Sequence, residues 1–600
     1  MGDTRKKAGT EPATQASERV LGRRDLVRLG LVAGAGSAGY LFSNRAFSAP
    51  GRGDVDDAEV RDCLLRGGVG QSGRGNAQSP QTTPFVEPLP IPPVKQPVAS
   101  LTPAPQVDPL PGEGRTRPHQ ALTRFPPKKL YEIRQREARH RFHRDLPPST
   151  VWGFDGIVPG PTFHARYGEP ILVRNFNDLP QNHRGFGIPQ VSTHLHNGHT
   201  PSESDGFPTD FFPFVVGGPQ RFYDQHYPNV LAGFSRQYPP NGDPREAMST
   251  LWYHDHRVDF TAPNVYKGLA GFYLLFNDKD TGDETTGFRL PSGPFDVPMM
   301  FADKLFDRDG QLFFDLFNFD GLLGDKFTVN GKIQPFFRVQ PRRYRFRWLN
   351  GGPSRFYELF LTDPNDRRRA IPFTQISSDG NLLPSSITQT SVRLSVAQRA
   401  DVVVDFSQFR PGTSLILENR LEQRNGRGPT GDILAAGQGD ALLRFDVVQP
   451  GTPDRSLPPP YTFYEVNRPT RAELDAANVR IWEFERGNGQ WQVNGEFFDG
   501  NEIRASIPEG ASEIWVLRNR SGGWQHPIHI HFEELQILSR NGAPPPPNER
   551  GRNDVVRLGF NEEVRVFVRF RDFVGRYPMH CHNTIHEDHA MMIRFDVVRA

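Results

Sequence analysis

Six hundred residues are more than one hydrophobic core organises, so several domains are expected. With 71 basic and 69 acidic side chains the net charge is +2, which gives no electrostatic reason for a nucleic-acid or anionic-membrane partner. Two cysteines exclude a disulfide framework, and abundant Gly, Pro and Phe with few runs at helical spacing favour an all-β chain rich in turns.

The chain opens with GRRDLVRLG at 22–30, an apolar small-residue run through Phe42, and RAFSAP at 45–50. A twin arginine, a modest apolar core and a small-residue cleavage site read as a twin-arginine-type export signal over 1–49. That run is too short to span a bilayer comfortably. The expected partner is the twin-arginine export machinery, and the expected location is the periplasm or outside the cell. Residues 50–126 read as a Gly/Pro-rich linker and N-terminal arm, with Cys63 a bystander in its flexible first part.

From about Tyr131 onward, short β-branched or aromatic runs alternate with turn residues. EPILVRNFND (169–178), GLAGFYLLFND (268–278), ADVVVDF (400–406), SEIWVLRN (512–519) and EEVRVFVRF (562–570) are strand candidates. Breaks near 280 and 450 divide the remainder into domains at 127–280, 281–450 and 451–600, each a β-sandwich or barrel. PRRYRFRWLN (341–350) mixes arginine and aromatics, but strict alternation makes it an amphipathic strand, with Tyr344, Phe346 and Trp348 on one face.

The histidines are grouped. HLH stands at 194–196, HDH at 254–256, HIH at 529–531 and HCH at 580–582, with no histidine between 257 and 525. On a strand, residues i and i+2 share a face, so each H-x-H offers two imidazoles to one place. Imidazole suits Cu, Zn, Fe and Ni. Four pairs at the two ends of the chain imply a polynuclear site shared by the first and third domains, with no ligands from the middle one. His526, Cys581, His586 and Met591 add two imidazoles, a thiolate and a thioether, the ligand set of a blue-copper electron-transfer centre. Zinc would favour C-x-x-C pairs, and there are none. Cys581 alternates in direction with His580 and His582, so one strand serves two centres.

HLHNGHTPSESDGFP, LWYHDH, HPIHIHF and HCHNTIHEDHAMM resemble the multicopper oxidase family in order and position. DLPPSTVWGFDGIVPGPT (145–162) and APPPPNERGRNDVV (543–556) resemble its bacterial spore-coat laccase and bilirubin oxidase group, over roughly residues 85–600. The resemblance implies three cupredoxin-like Greek-key β-barrel domains, four copper ions, and oxidation of a reducing substrate coupled to reduction of dioxygen to water. By motif, His526, Cys581, His586 and Met591 would hold a type 1 copper, with Cys581 as the electron conduit. His194 and His529 would hold a type 2 copper, and His196, His254, His256, His531, His580 and His582 a type 3 pair. Asp205 and Glu587 match acids that deliver protons in the spore-coat group. Asp255 is expected to face away in a packing role, His199 and His589 to be structural, and Met592 to point away from copper.

This chain departs from the family at Asn197, where glycine is usual, and in a stretch near 94–126 that looks inserted. Phenols or aromatic amines are the expected substrates, with bilirubin-like, Mn(II) and Cu(I) oxidation as alternatives and a non-enzymatic copper-binding protein as a distant one. Seven methionines and no Met-rich run argue against Cu(I) capture.

Overall fold

The structure is a computed structural model and describes residues 78–600 apart from 184, 214–221 and 488. The export signal and Cys63 lie outside the described residues.

Three pairs of sheets follow one another along the chain. In the first pair, Ser149–Phe154, Lys129–His140, Ile171–Asp178 and Phe222–Tyr227 form one sheet, and Gly160–Arg166, Ala270–Phe276, Thr250–Asp255 and Thr193–His196 form the other. The strands of the second pair lie between Asp296 and Val447, and those of the third between Asn478 and Val598. The same pairing device recurs in all three. An early strand runs parallel to a later one in each sheet: Lys129–His140 with Ile171–Asp178, Asp296–Phe306 with Arg343–Asn350, and Asn478–Gly487 with Ser512–Asn519. The opposite sheets repeat it, with Gly160–Arg166, Phe336–Val339 and Ile503–Pro508 each parallel to the last strand of its unit. Each pair of sheets encloses its own apolar core. The five strand candidates form as Ile171–Asp178, Ala270–Phe276, Arg399–Asp405, Ser512–Asn519 and Glu563–Arg569. Among the described residues the helices are short, and none is long and apolar enough to cross a membrane.

Two parts differ from a plain reading of the sequence. Residues 78–126 are not a free spacer. They run over the sheets, bridging Pro88 to Phe336, Val94 to Thr162, Val98 to Leu130 and Glu113 to Phe222. Extended Pro-rich backbone keeps its remaining N–H and C=O groups available to pair with a neighbour, so such composition does not by itself mean solvation. The strand Arg343–Asn350 buries Tyr344, Phe346 and Trp348 in the middle core, as alternation requires. Its other face is buried too. Arg345 pairs with Asp280 (3.0 Å) and Asp401 (2.5 Å), while Arg347 pairs with Asp296 (2.7 Å) and donates to Thr250 Oγ1 (2.8 Å). These arginines tie the middle sheets to the strand that carries HDH.

Candidate metal centres

Four strands bring the histidine pairs together. Thr193–His196 lies antiparallel to Thr250–Asp255 with His194 opposite His254, and His526–Ile530 lies antiparallel to Gly575–Cys581 with His529 opposite His580. Gly206 permits the close approach of the SESDG turn. Its φ is +86°, and a Cβ there would sit 2.2 Å from Thr193 O.

At one end, three donor atoms form a triangle. His526 Nδ1 and His586 Nδ1 are 3.1 Å apart, and Cys581 Sγ lies 3.5 and 3.6 Å from them. The centre of that triangle is about 2 Å from each corner, a metal–nitrogen bond length. The far nitrogens fix the rings: His526 Nε2 hydrogen-bonds Ser521 Oγ (2.9 Å), and His586 Nε2 donates to Asp320 O (3.1 Å). His586 rides on the short helix Thr584–Asp588, whose N-terminus is capped by Asn583. Met591 is buried in the same core cluster as Cys581, and its carbonyl accepts from the Cys581 N–H (3.0 Å). Burial pushes the Cys581 thiol up and His526 down to about 3, so a metal held here would require the thiol to lose its proton, while the imidazole is already neutral.

On the other side of the HCH strand, Nε2 atoms of His256, His531 and His580 converge at 3.1, 3.1 and 3.2 Å. Their other nitrogens face acids. His531 Nδ1 donates to Asp205 Oδ2 (2.8 Å), while Glu587 reaches His256 Nδ1 with one oxygen (3.2 Å) and His580 Nδ1 with the other (3.1 Å). His580 Nδ1 also lies 3.2 Å from Cys581 O. With the ring protons on the Nδ1 side, three Nε2 lone pairs point at one another, an arrangement that is repulsive unless a cation sits among them. A metal fits that set.

Of the remaining five rings, four are likewise held by a hydrogen bond at one nitrogen. His194 Nδ1 donates to Asp205 O (2.6 Å) and His529 Nδ1 to Asp554 O (2.8 Å), leaving both Nε2 atoms without a hydrogen-bond partner. His254 Nδ1 donates to Asp255 O (2.8 Å), and His196 Nε2 to Asp554 Oδ1 (2.8 Å). Neither ring nitrogen of His582 is hydrogen-bonded, and its ring centre lies 5.0 Å from His196 and 5.3 Å from His254. Burial, with mutual repulsion if charged, holds His194, His196, His256, His529, His531 and His582 well below the ordinary imidazole range. Neutral imidazoles in this number are what a cluster of transition-metal ions needs.

Other residues named from the sequence fall outside this set. Asp255 accepts from the Ser192 N–H and from Asn264 rather than facing the cluster. His199 pairs with Asp572 (3.0 Å), and His589 Nδ1 donates to Ile585 O (2.5 Å). Sequence reasoning missed Asp554, Arg399 and Ser521. Arg399, from the middle sheets, holds the Asp554 carboxylate at 2.9 and 2.5 Å, and Asp554 in turn orients His196 and His529. Asp554 stood inside NERGRNDVV, but nothing in its spacing pointed to the histidines.

A buried Cys–His–His triangle on one face of a strand and converging imidazoles on the other define a protein that couples single-electron transfer to chemistry at a metal cluster. Comparison with known proteins gives the same class. The multicopper oxidase family matches residues 464–600. The bilirubin oxidase of Albifimbria verrucaria is 34% identical over 533 residues, 86% of this chain and 82% of that one. A laccase of Bacillus subtilis is 32% identical over 543 residues, 82% of this chain and 98% of that one. The crystal structure of a laccase from Pediococcus acidilactici superposes with a TM-score of 0.67 at 24% identity, covering 88% of this chain and 97% of that one. The chain belongs to the multicopper oxidase family, its β-sheet pairs are cupredoxin-like domains, and its cofactor is copper.

Proposed function

We propose that the protein is a laccase-like oxidase that removes single electrons from phenols or aromatic amines and reduces dioxygen to water, with four copper ions bound. The observation that carries this reading is the placement of Cys581 and His580 on opposite sides of one strand, each within a separate set of converging donors. His526, Cys581, His586 and Met591 would hold the type 1 ion, His194 and His529 the type 2 ion, and His196, His254, His256, His531, His580 and His582 the type 3 pair. Copper supplies reversible one-electron redox chemistry at these positions. The chain's own part is to hold and orient these imidazoles, and to bring protons. Asp205 and Glu587 are read as the proton relay, since each carboxylate contacts a cluster histidine and is fully buried from bulk water.

A twin-arginine leader at 1–49 would carry the protein out of the cytoplasm. Fractionation of cells expressing wild type or an Arg23→Lys, Arg24→Lys pair tests it, and equal export of both would reject it. For the activity, copper-loaded protein should turn blue and consume oxygen with 2,6-dimethoxyphenol. No oxygen uptake with phenols or aromatic amines would reject the laccase-like reading, and blue colour without oxygen uptake on any reductant tested would favour a copper-binding protein instead.

A further inference from the structure

The imidazoles beside Cys581 present no edge to solvent. His526 and His586 are both 0% exposed, and their far nitrogens are already hydrogen-bonded. A reducing substrate therefore stops short of either ring. What covers His586 is Trp491, with ring centres 4.0 Å apart, itself fully buried with its indole N–H donated to Phe319 O (3.0 Å). Trp524 follows, edge-on to Trp491 at 5.2 Å, and is partly exposed. Two guanidinium groups lie over Trp524, Arg427 at 4.4 Å and Arg486 at 4.9 Å from the ring centre. Both share one carboxylate, Asp320, at 3.3 and 2.8 Å. The side chains of Arg427, Asp320 and Arg486 are 48%, 37% and 28% exposed. Two cations against one anion leave a net positive charge beside an aromatic surface, directly outside His586. The patch is built at a seam, with Asp320 and Arg427 on loops of the middle unit, Arg486 and Trp491 on the strands Asn478–Gly487 and Gln490–Val493, and Trp524 on the loop before His526–Ile530.

We infer that this patch is the substrate entrance and that it selects anionic phenols, namely aryl carboxylates or sulfonates carrying a free phenolic hydroxyl. The inference rests on the laccase-like reading and names its substrate class. Arg427 and Arg486 bind the anionic group, Trp524 takes the ring, and the electron passes by Trp524 and Trp491 to His586. The phenol loses one electron and one proton: its O–H bond breaks, the proton goes to water at the exposed patch, and a phenoxyl radical leaves. Copper held by Cys581 and its two histidines would take up that electron, with dioxygen as the final acceptor.

The test compares syringate with 2,6-dimethoxyphenol, which share a ring and differ by a carboxylate. Oxygen uptake is measured for the copper-loaded wild type, Arg427→Glu and Arg486→Gln. The ratio of kcat/KM for syringate over 2,6-dimethoxyphenol should fall about tenfold in Arg427→Glu, and should fall with added salt in wild type. Equilibrium dialysis of 4-methoxybenzoate, which has no oxidisable hydroxyl, should show about tenfold weaker binding to the same variant. A ratio within about twofold of wild type, with unchanged 4-methoxybenzoate binding, overturns the selectivity. Trp524→Leu should lower kcat for both phenols, and an unchanged kcat overturns the route through that ring. If wild type consumes no oxygen with either phenol, the laccase-like reading fails, and the 4-methoxybenzoate measurement still decides whether the patch binds aromatic anions.

Discussion

His580 and Cys581 are chain neighbours that belong to different centres. His580 Nε2 lies 3.1 Å from Nε2 of both His256 and His531, while Cys581 Sγ lies 3.5 and 3.6 Å from Nδ1 of His526 and His586. The alternation of a β-strand supplies this separation without any loop or extra domain. Replacing Cys581 with Ser removes the thiolate at a small loss of volume, so the fold should survive. The variant should lose the blue colour and fall to background oxygen uptake, while the histidine cluster retains copper by metal analysis. Substantial phenol oxidation in a colourless variant would show that electrons enter elsewhere.

Glu587 spans His256 and His580, and Asp205 holds His531. Neutral amides of the same shape keep the packing but weaken the acceptor and remove the proton site. Glu587→Gln and Asp205→Asn should each lower kcat by about 10–100-fold, with the blue absorbance retained. A solvent-isotope effect on kcat larger than in wild type would identify proton delivery as the step affected. If copper content falls in parallel with kcat, the acids orient ligands and relay nothing.

Arg399 reaches from the middle sheets to hold Asp554, which orients His196 and His529. Removing the guanidinium leaves a buried carboxylate unpaired, at a cost of about 3–5 kcal/mol. Arg399→Gln should therefore weaken copper retention at the histidine cluster by about 10–100-fold while the cysteine centre stays coloured. Copper analysis with electron paramagnetic resonance separates the two. Full occupancy of both centres in this variant would confine Arg399 to a packing role.

His199 sits between Glu533 and Asp572, with Asp572 also accepting from the Gly233 and Ser235 N–H groups. Burial alone would lower its pKa, but the charges of Glu533 and then Asp572 outweigh it and hold the imidazolium above its usual range. A raised folded pKa contributes stability that is fully present below the unfolded value near 6.5 and is lost as pH rises through the folded value. His199→Gln should cost about 1–3 kcal/mol at pH 6 and progressively less as pH rises above 6.5. Thermal unfolding of both proteins across that window checks it; an equal deficit at every pH would mean that the ring's packing, not its charge, matters.

Much of this site was legible because period-two alternation converts H-x-H directly into paired ligands, and because Cys581 stood between two such ligands. The core-facing aromatics of Arg343–Asn350 were legible for the same reason. What alternation does not encode is what lies across the other face. Arg345 and Arg347 read as an ordinary polar face, yet they are buried against aspartates that are 51–65 residues distant in the chain. Asp554 and Arg399 were invisible on the same ground, since a long-range ion pair leaves no periodic trace. The arm over 78–126 was obscured by composition, because its attachment is through backbone bridges that proline-rich sequence does not announce.

Asn197 replaces the glycine expected after HLH, and its backbone shows why glycine is usual there: φ is +72°. Asparagine tolerates this left-handed region better than other residues with a Cβ. Its side chain adds something glycine lacks, donating from Nδ2 to Glu534 Oε1 (3.1 Å) and contacting Met248 Sδ (2.7 Å). Asn197→Gly should relieve the backbone but lose those contacts, for a net change within about 1 kcal/mol. Asn197→Ala loses the contacts and keeps the strain, and should destabilise by about 1–2 kcal/mol more than the glycine variant. Because residue 197 directly follows His196, the strained variant should also weaken copper retention at the cluster. Chemical denaturation of the three proteins orders them, and an alanine variant as stable as the glycine one would remove the backbone argument.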